Sequence, residues 1–131
     1  MGRKGQTICV DFDGVIHQYI HGEWRAGEIY GDAFEGAIEG LFKLKGRGFR
    51  VVIFTTRTVH EDQAALIREW FFEKAVAMEL PYSGLFSTWR LTGSDEDFPF
   101  EITNEKIPAI AYVDDRAIRF VNWADTLRYF V

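Results

Sequence analysis

The sequence predicts one α/β domain over residues 1–131, built as a three-layer sandwich around a central, mainly parallel sheet. A chain of 131 residues suits a single hydrophobic core. Its composition, 47% hydrophobic and 27% charged, is typical of a folded globular chain. Short apolar runs alternate with segments of helical periodicity, and this alternation is typical of parallel sheets with helical crossovers.

Apolar runs predict the strands. Residues 7–10 and 50–54 are short, rich in β-branched side chains and followed by polar residues, as buried strands are. Residues 109–113 form a third apolar run that ends in the same way. Weaker runs at residues 84–87 and 127–131 predict two further short strands.

Helical periodicity lies between these strands. Residues 32–45 open with the spacing of a capping box and continue with an apolar stripe, and residues 58–78 repeat the pattern over a greater length. Residues 117–123 predict a short helix. The polar residues 91–100 predict an exposed segment, and the glycine-rich residues 15–31 predict a loop or short hairpin.

Charge and cysteine content exclude several classes of protein. The formal net charge of −5 disfavours a broad basic surface for nucleic acid. A single cysteine excludes an internal disulfide and a multi-cysteine zinc site. No apolar run reaches the roughly 20 residues of a membrane span. These features predict a soluble cytoplasmic protein with no membrane partner.

Polar groups stand at the ends of the strongest predicted strands. Asp11 and Asp13 end the first strand, Thr55 the second, and Asp114 and Asp115 the third. A parallel sheet gathers such strand ends into one crevice, which is the usual ligand site of open α/β sheets. Carboxylates gathered there need a cation to remain ionised, and a set of oxygen donors favours a hard ion such as Mg²⁺.

The order of these groups resembles the haloacid dehalogenase (HAD) superfamily. The segment VDFDGV at residues 10–15 is similar to its DxDG signature, and Thr55 to its second motif. Lys106 is similar to its third motif, and Asp114 with Asp115 to its acidic fourth. The resemblance covers nearly the whole chain and implies a Mg²⁺-dependent phosphomonoester hydrolase that acts through an aspartyl-phosphate.

The same resemblance implies a role for each residue in the reaction. Asp11 would attack phosphorus, while Asp13 would protonate the leaving oxygen and later activate water. For the acid role we expect nearby like charge to raise the pKa of Asp13. Thr55 would bind the phosphoryl oxygens, with Thr56 as the alternative. Lys106 would neutralise the phosphoryl group, unless its side chain is simply exposed to solvent.

The implied metal ligands are carboxylates and one carbonyl. Asp11, Asp114 and the backbone carbonyl of Asp13 would bind Mg²⁺, and Asp115 would assist directly or through water. A pair of carboxylates such as Asp114 and Asp115 can also cap a helix. Their combination with Asp11 and Asp13 favours the metal site.

Further similarities concern the substrate. Residues 55–57 and 114–116 resemble the phosphatase domain of polynucleotide kinase-phosphatases, which implies that Arg57 contacts substrate phosphate. Guanidinium groups suit such contacts. His17 and His21 are expected to be solvated loop residues, with substrate contact as the alternative.

Short intervals between the motifs leave no room for a full cap domain. In this family an open site implies access for bulky substrates, so the predicted substrate is a phosphorylated small molecule or a nucleic-acid end. Trp24 and Tyr30 are predicted to anchor the 15–31 loop, with stacking on a base as the alternative.

Two other classes of protein remain open. A receiver-like phospho-acceptor domain gathers similar groups, but its acidic pair lies on the first strand and its acceptor on a later one. The order here is the reverse, which disfavours it. A catalytically silent HAD-like binding domain is the second alternative, although every expected catalytic group is present.

Overall fold

The computed structural model describes residues 6–20, 22–60, 62–81, 83–105, 107–114 and 118–130. In this part of the chain the strands are β1 (Thr7–Asp11), β2 (Arg50–Phe54), β3 (Glu101–Thr103), β4 (Ala111–Asp114) and β5 (Ile118–Arg119). The α-helices are α1 (Ala37–Gly46), α2 (Gln63–Ala77), α3 (Ser83–Thr92) and α4 (Trp123–Arg128). No described helix is long and apolar enough to cross a membrane.

All described strand pairs are parallel, and the strand order is β3-β2-β1-β4-β5. From β1 the chain builds outward through β2 to β3, and then returns to the other side of β1 to form β4 and β5. The direction of winding therefore reverses between β1 and β4. Open α/β sheets bind ligands at this reversal point, outside the carboxyl ends of the strands.

Alternate residues of the central strands enter one hydrophobic cluster, which places them on the same face of the sheet. Side chains from α1, α2, α3 and α4 join the same cluster. Its strand residues include Ile8, Val10, Val51, Ile53 and Val113. Cys9 and Val52 alternate with them and are buried at 1% exposure each. The α/β class with a parallel sheet is confirmed, and a three-layer HAD-like arrangement stays a prediction.

Among the described residues, neither of the two weakly apolar runs forms the strand that was predicted there. Residues 84–87 lie within α3, where Phe86 and Trp89 are buried three positions apart, the spacing of one helix face. Leu127 and Arg128 end α4 instead of opening a last strand. The helix predicted at residues 117–123 is also wrong for the described residues 118–122, because Ile118 and Arg119 form β5 and α4 begins only at Trp123; residue 117 lies outside the described residues.

The helices begin later than the capping-box spacing predicts. Gly36 precedes α1 with a φ of 77°, a backbone conformation that glycine adopts without strain. Asp32 instead accepts a 2.7 Å hydrogen bond from Lys74 on α2. Residues 56–59 form a 3-10 turn, so α2 starts only at Gln63. A tertiary contact thus takes the place of the local cap at Asp32, whereas the Thr58 hydroxyl donates to the carbonyl of Thr55 within the 3-10 turn.

The contact between α1 and α4 requires glycine at position 40. A Cβ atom added to Gly40 would lie 2.4 Å from Cε3 of Trp123. The Trp123 ring is held in place, because its Nε1 donates to the Val15 carbonyl at 3.2 Å. We therefore expect Gly40→Ala to lower the free energy of unfolding by about 1–3 kcal/mol in chemical denaturation, as overpacking does.

Gly46 provides the matched control on the same helix. A Cβ added there meets nothing within 4 Å. Gly46→Ala should be neutral or slightly stabilising, because alanine favours helix by up to about 1 kcal/mol over glycine. Equal stability of the two variants would contradict the close approach of α1 to α4.

Candidate active site

Two acidic residues end neighbouring strands at the reversal point of the sheet. Val10 of β1 pairs with Val113 of β4, so Asp11 and Asp114 follow at equivalent positions. Because side chains alternate along strands, both carboxylates lie on the same face and at the same edge. Both residues are partly buried. Sequence reasoning predicted this meeting of strand ends, and the described residues show it.

Asp13 lies two residues beyond Asp11, in the turn after β1. Its carboxylate accepts a hydrogen bond at each oxygen, from Nδ1 of His17 to Oδ1 at 2.8 Å and from Nε of Arg57 to Oδ2 at 2.7 Å. Burial raises the pKa of Asp13, but these two hydrogen bonds and the charge of Arg57 outweigh it and hold the pKa below its ordinary value. The expected upward shift is therefore wrong for the protein without substrate.

His17 is fully buried, so its predicted solvation is wrong. Its Nε2 accepts a hydrogen bond from the backbone N–H of Gly31 at 2.9 Å. Its ring stacks against the ring of Phe12, with 5.4 Å between the ring centroids, and packs edge to face on Trp70, with 5.7 Å between the centroids. These contacts fasten the 15–31 segment against the carboxyl end of β1. His21 lies outside the described residues.

Arg57 is 2% exposed and follows β2 within the 3-10 turn Thr56–Val59. Besides its bond to Asp13, its Nη1 donates to the carbonyl of Gly27 and to Oε1 of Gln63, each at 3.1 Å. Its Nη2 is buried without a hydrogen-bond partner among the described residues. The guanidinium thus contacts Asp13 and the 15–31 segment, whereas the sequence predicted a contact with substrate.

The two threonines after β2 differ in exposure. Thr55 is 5% exposed, and its Oγ1 accepts the backbone N–H of Arg57 at 3.2 Å. Its hydroxyl can still donate one hydrogen bond, as a phosphate contact would require. Thr56 is exposed. Which threonine binds phosphate stays a prediction.

The oxygen donors at the sheet edge suit Mg²⁺. Among the residues that the structure describes, no three His, Cys, Asp or Glu side chains form a metal-binding group. Mg²⁺ is nevertheless commonly held by one or two carboxylates together with water molecules. Asp11 and Asp114 can supply the two carboxylates. The resemblance implies only the backbone carbonyl of Asp13 as a metal ligand, so the Asp13 side chain can keep its hydrogen bonds to Arg57 and His17. Asp115 and Lys106 lie outside the described residues.

Comparisons with known proteins give no match. No protein-family model matches the chain, and neither curated proteins nor solved structures match it. The assignment of function therefore depends on the residues and their geometry.

Proposed function

We propose that this protein is a Mg²⁺-dependent phosphomonoester hydrolase with a HAD-like fold, acting through an aspartyl-phosphate on Asp11. The observation that carries the proposal is the pairing of β1 with β4, from which Asp11 and Asp114 follow side by side on one face. Asp13 and Thr55 lie at the same edge, after β1 and β2. This combination could supply a nucleophile, an acid–base group, a metal ligand and a hydroxyl group that donates a hydrogen bond to phosphate.

The reaction would proceed in two displacements at phosphorus. In the first, a carboxylate oxygen of Asp11 bonds to phosphorus, the bond to the leaving oxygen breaks, and Asp13 gives that oxygen a proton. In the second, Asp13 takes a proton from water, the water oxygen bonds to phosphorus, and the bond to Asp11 breaks. Inorganic phosphate leaves and both carboxylates return to their starting state.

The two steps need opposite protonation states of Asp13. Its lowered pKa in the protein without substrate favours the carboxylate, which the second step uses as a base. The first step needs the acid. An anionic phosphate beside Asp13 adds like charge, which raises the pKa of a carboxyl group. Substrate binding would thus favour the protonated form.

Asp11, Asp114 and the backbone carbonyl of Asp13 would hold Mg²⁺, with Asp115 assisting. When bound, the ion neutralises charge on the phosphoryl group. Thr55 or Thr56 would donate hydrogen bonds to phosphoryl oxygens, and Lys106 would add positive charge.

The proposed substrate is the phosphate monoester of a nucleotide or polynucleotide end. Trp24 is 37% exposed and lies beside Arg57, whose guanidinium carbon is 4.7 Å from the ring centroid. The His60 ring is 5.3 Å from the Trp24 ring. An exposed aromatic pair next to the catalytic edge favours a substrate with a flat base, because bases stack on such rings.

Metal removal tests the proposal. We expect EDTA to abolish hydrolysis of para-nitrophenyl phosphate and Mg²⁺ to restore it. Asp114→Asn should raise the Mg²⁺ concentration for half-maximal activity by at least about tenfold, because changes around metal sites commonly cost that much affinity. Asp97→Asn, at an exposed position away from the sheet edge, is the matched control and should behave as the wild type.

The outcomes separate the alternatives. A folded protein that binds no Mg²⁺ in calorimetry and hydrolyses no phosphate ester would be the silent domain. A protein that keeps a stable phosphoryl group without turnover would be the receiver-like domain. If it acts on sugar phosphates but on neither 3′-phosphorylated oligonucleotides nor nucleoside monophosphates, the proposed substrate class is wrong.

A further inference from the structure

We propose that His17 and Arg57 form a clamp that positions the Asp13 carboxyl for proton transfer, so that Arg57 acts through Asp13 and does not hold substrate phosphate. This inference rests on the proposed function. It adds two positioning residues, neither of which would touch the reacting atoms.

The clamp consists of two buried donors on opposite oxygens of one carboxylate. Nδ1 of His17 bonds to Oδ1 and Nε of Arg57 bonds to Oδ2. The donor side chains are 0% and 1% exposed, whereas the Asp13 side chain is 24% exposed. The acceptor is therefore the only member of the three with substantial access to solvent and substrate. Rotation of its carboxyl group would break both bonds.

The backbone fixes which nitrogen of His17 carries the proton. Gly31 donates its N–H to Nε2, so Nε2 must be unprotonated to accept it. A neutral imidazole with a free Nε2 carries its proton on Nδ1, which is the atom that faces Asp13. His17 thus acts as a neutral donor whose tautomer is set by the 15–31 segment.

Arg57 is held just as firmly. Gly27 and Gln63 accept hydrogen bonds from its Nη1, and Gln63 also donates to the Gly27 carbonyl at 3.1 Å. The guanidinium lies between the 15–31 segment, α2 and Asp13, with the Trp24 ring against it. An arginine that binds substrate phosphate needs an open face, and Arg57 is 2% exposed.

The clamp matters most when the leaving group needs a proton. An alkoxide leaving from glycerol phosphate is strongly basic and depends on a well-oriented acid. Para-nitrophenolate is weakly basic and leaves without one. Loss of the clamp should therefore slow phosphoryl transfer from the alkyl ester by about 10²-fold, a typical contribution of general acid catalysis, and leave transfer from the aryl ester within about tenfold.

His17→Phe and His17→Asn test this in rapid-quench measurements of phosphoenzyme formation with both esters. Phenylalanine keeps a ring in the aromatic cluster but removes both nitrogens, so the selective loss with glycerol phosphate is expected. The amide nitrogen of asparagine can stand where Nδ1 stands and donate to Asp13, so it should restore part of the rate. Asp97→Asn, at the exposed position away from the sheet edge, is the control and should alter neither rate.

Arg57→Gln gives the decisive comparison. The clamp predicts an unchanged KM for both esters and a selective loss of rate with the alkyl ester. A raised KM with both esters, at an unchanged ratio of rates, would show that Arg57 holds phosphate and would overturn the proposal. If this variant does not fold in circular dichroism, Gln63→Met, which loosens Arg57 without removing it, should show the same selective loss to a smaller degree.

Wild-type results separate the two proposals. A wild type that forms no phosphoenzyme with either ester refutes the proposed function itself. A wild type that is active, with variants that lose both rates equally, refutes the clamp alone.

Discussion

Asp11→Asn is expected to lower kcat with para-nitrophenyl phosphate by at least about 10³-fold while the protein stays folded. Removing the nucleophile of a covalent hydrolase has effects of this order or greater, because the second displacement has no intermediate to act on. The amide is a poor nucleophile, and its size is close to that of the carboxyl group. Asp11 lies at the end of β1 and is not among the core residues, so its replacement should cost little stability.

The site of phosphorylation gives the sharper measurement. After acid quenching, mass spectrometry of wild-type protein should find one phosphoryl group on the peptide containing Asp11, and none in Asp11→Asn. Asp13→Asn is the matched control. It keeps the nucleophile but removes the base, so it should accumulate the phosphoryl group from para-nitrophenyl phosphate. A phosphoryl group on Asp114, or undiminished turnover by Asp11→Asn, would contradict the mechanism.

The central strands could be read from the sequence because their signal is local. Residues 50–54 combine β-branched side chains with polar ends, and the strand has the same bounds, Arg50–Phe54. Residues 84–87 carry too few apolar side chains to distinguish a strand from a helix face. β3 (Glu101–Thr103) has no apolar run at all, and its pairing with β2 defines it as a strand.

The exposed segment predicted at residues 91–100 was correct only in part. Leu91 is 87% exposed, but Phe98 and Phe100 are buried at 6% and 4%. Their rings contact Phe71 on α2. The polar composition described the average of this segment but could not reveal two buried aromatic side chains, because their contact with Phe71 joins residues more than 20 positions apart in the chain.

The site was predictable to the extent that strand ends determine it. Asp11 and Asp114 meet because parallel strands end at one edge, which any α/β reading implies. The surroundings of Asp13 were not predictable, because Arg57 lies 44 positions away in the chain. Its guanidinium group contacts Asp13 only because the 3-10 turn after β2 directs it there. No sequence signal marks Gln63 as the residue that links Arg57 to that loop. The predicted direction of the Asp13 pKa shift was wrong because the sequence did not reveal the hydrogen bonds from His17 and Arg57.

Phe71→Ala is expected to give the largest loss of stability, about 3–5 kcal/mol in the free energy of unfolding. Phe71 is fully buried in α2. Its ring contacts aromatic rings from the turn after β1, from α2 itself, from α3 and from the segment before β3. They include Phe12, Trp70, Phe86, Phe98 and Phe100. The alanine variant would leave a cavity where these elements meet. The loss would be a large part of the total, because the free energy of unfolding of a small domain is only about 5–15 kcal/mol.

Phe72→Ala is the matched control, because it removes the same side chain from the neighbouring position of the same helix. Phe72 is only partly buried, and its ring faces the Arg90 guanidinium at 5.2 Å. We expect the free energy of unfolding to fall by less than about 2 kcal/mol, because the side chain of Phe72 buries less apolar surface on folding. Phe71→Leu, which keeps much of the volume, should fall between the two. Equal losses at positions 71 and 72 in urea denaturation would contradict the aromatic core. Phe12 lies between Asp11 and Asp13 in the sequence, so a loosened cluster should also reduce kcat for the proposed reaction before the protein unfolds.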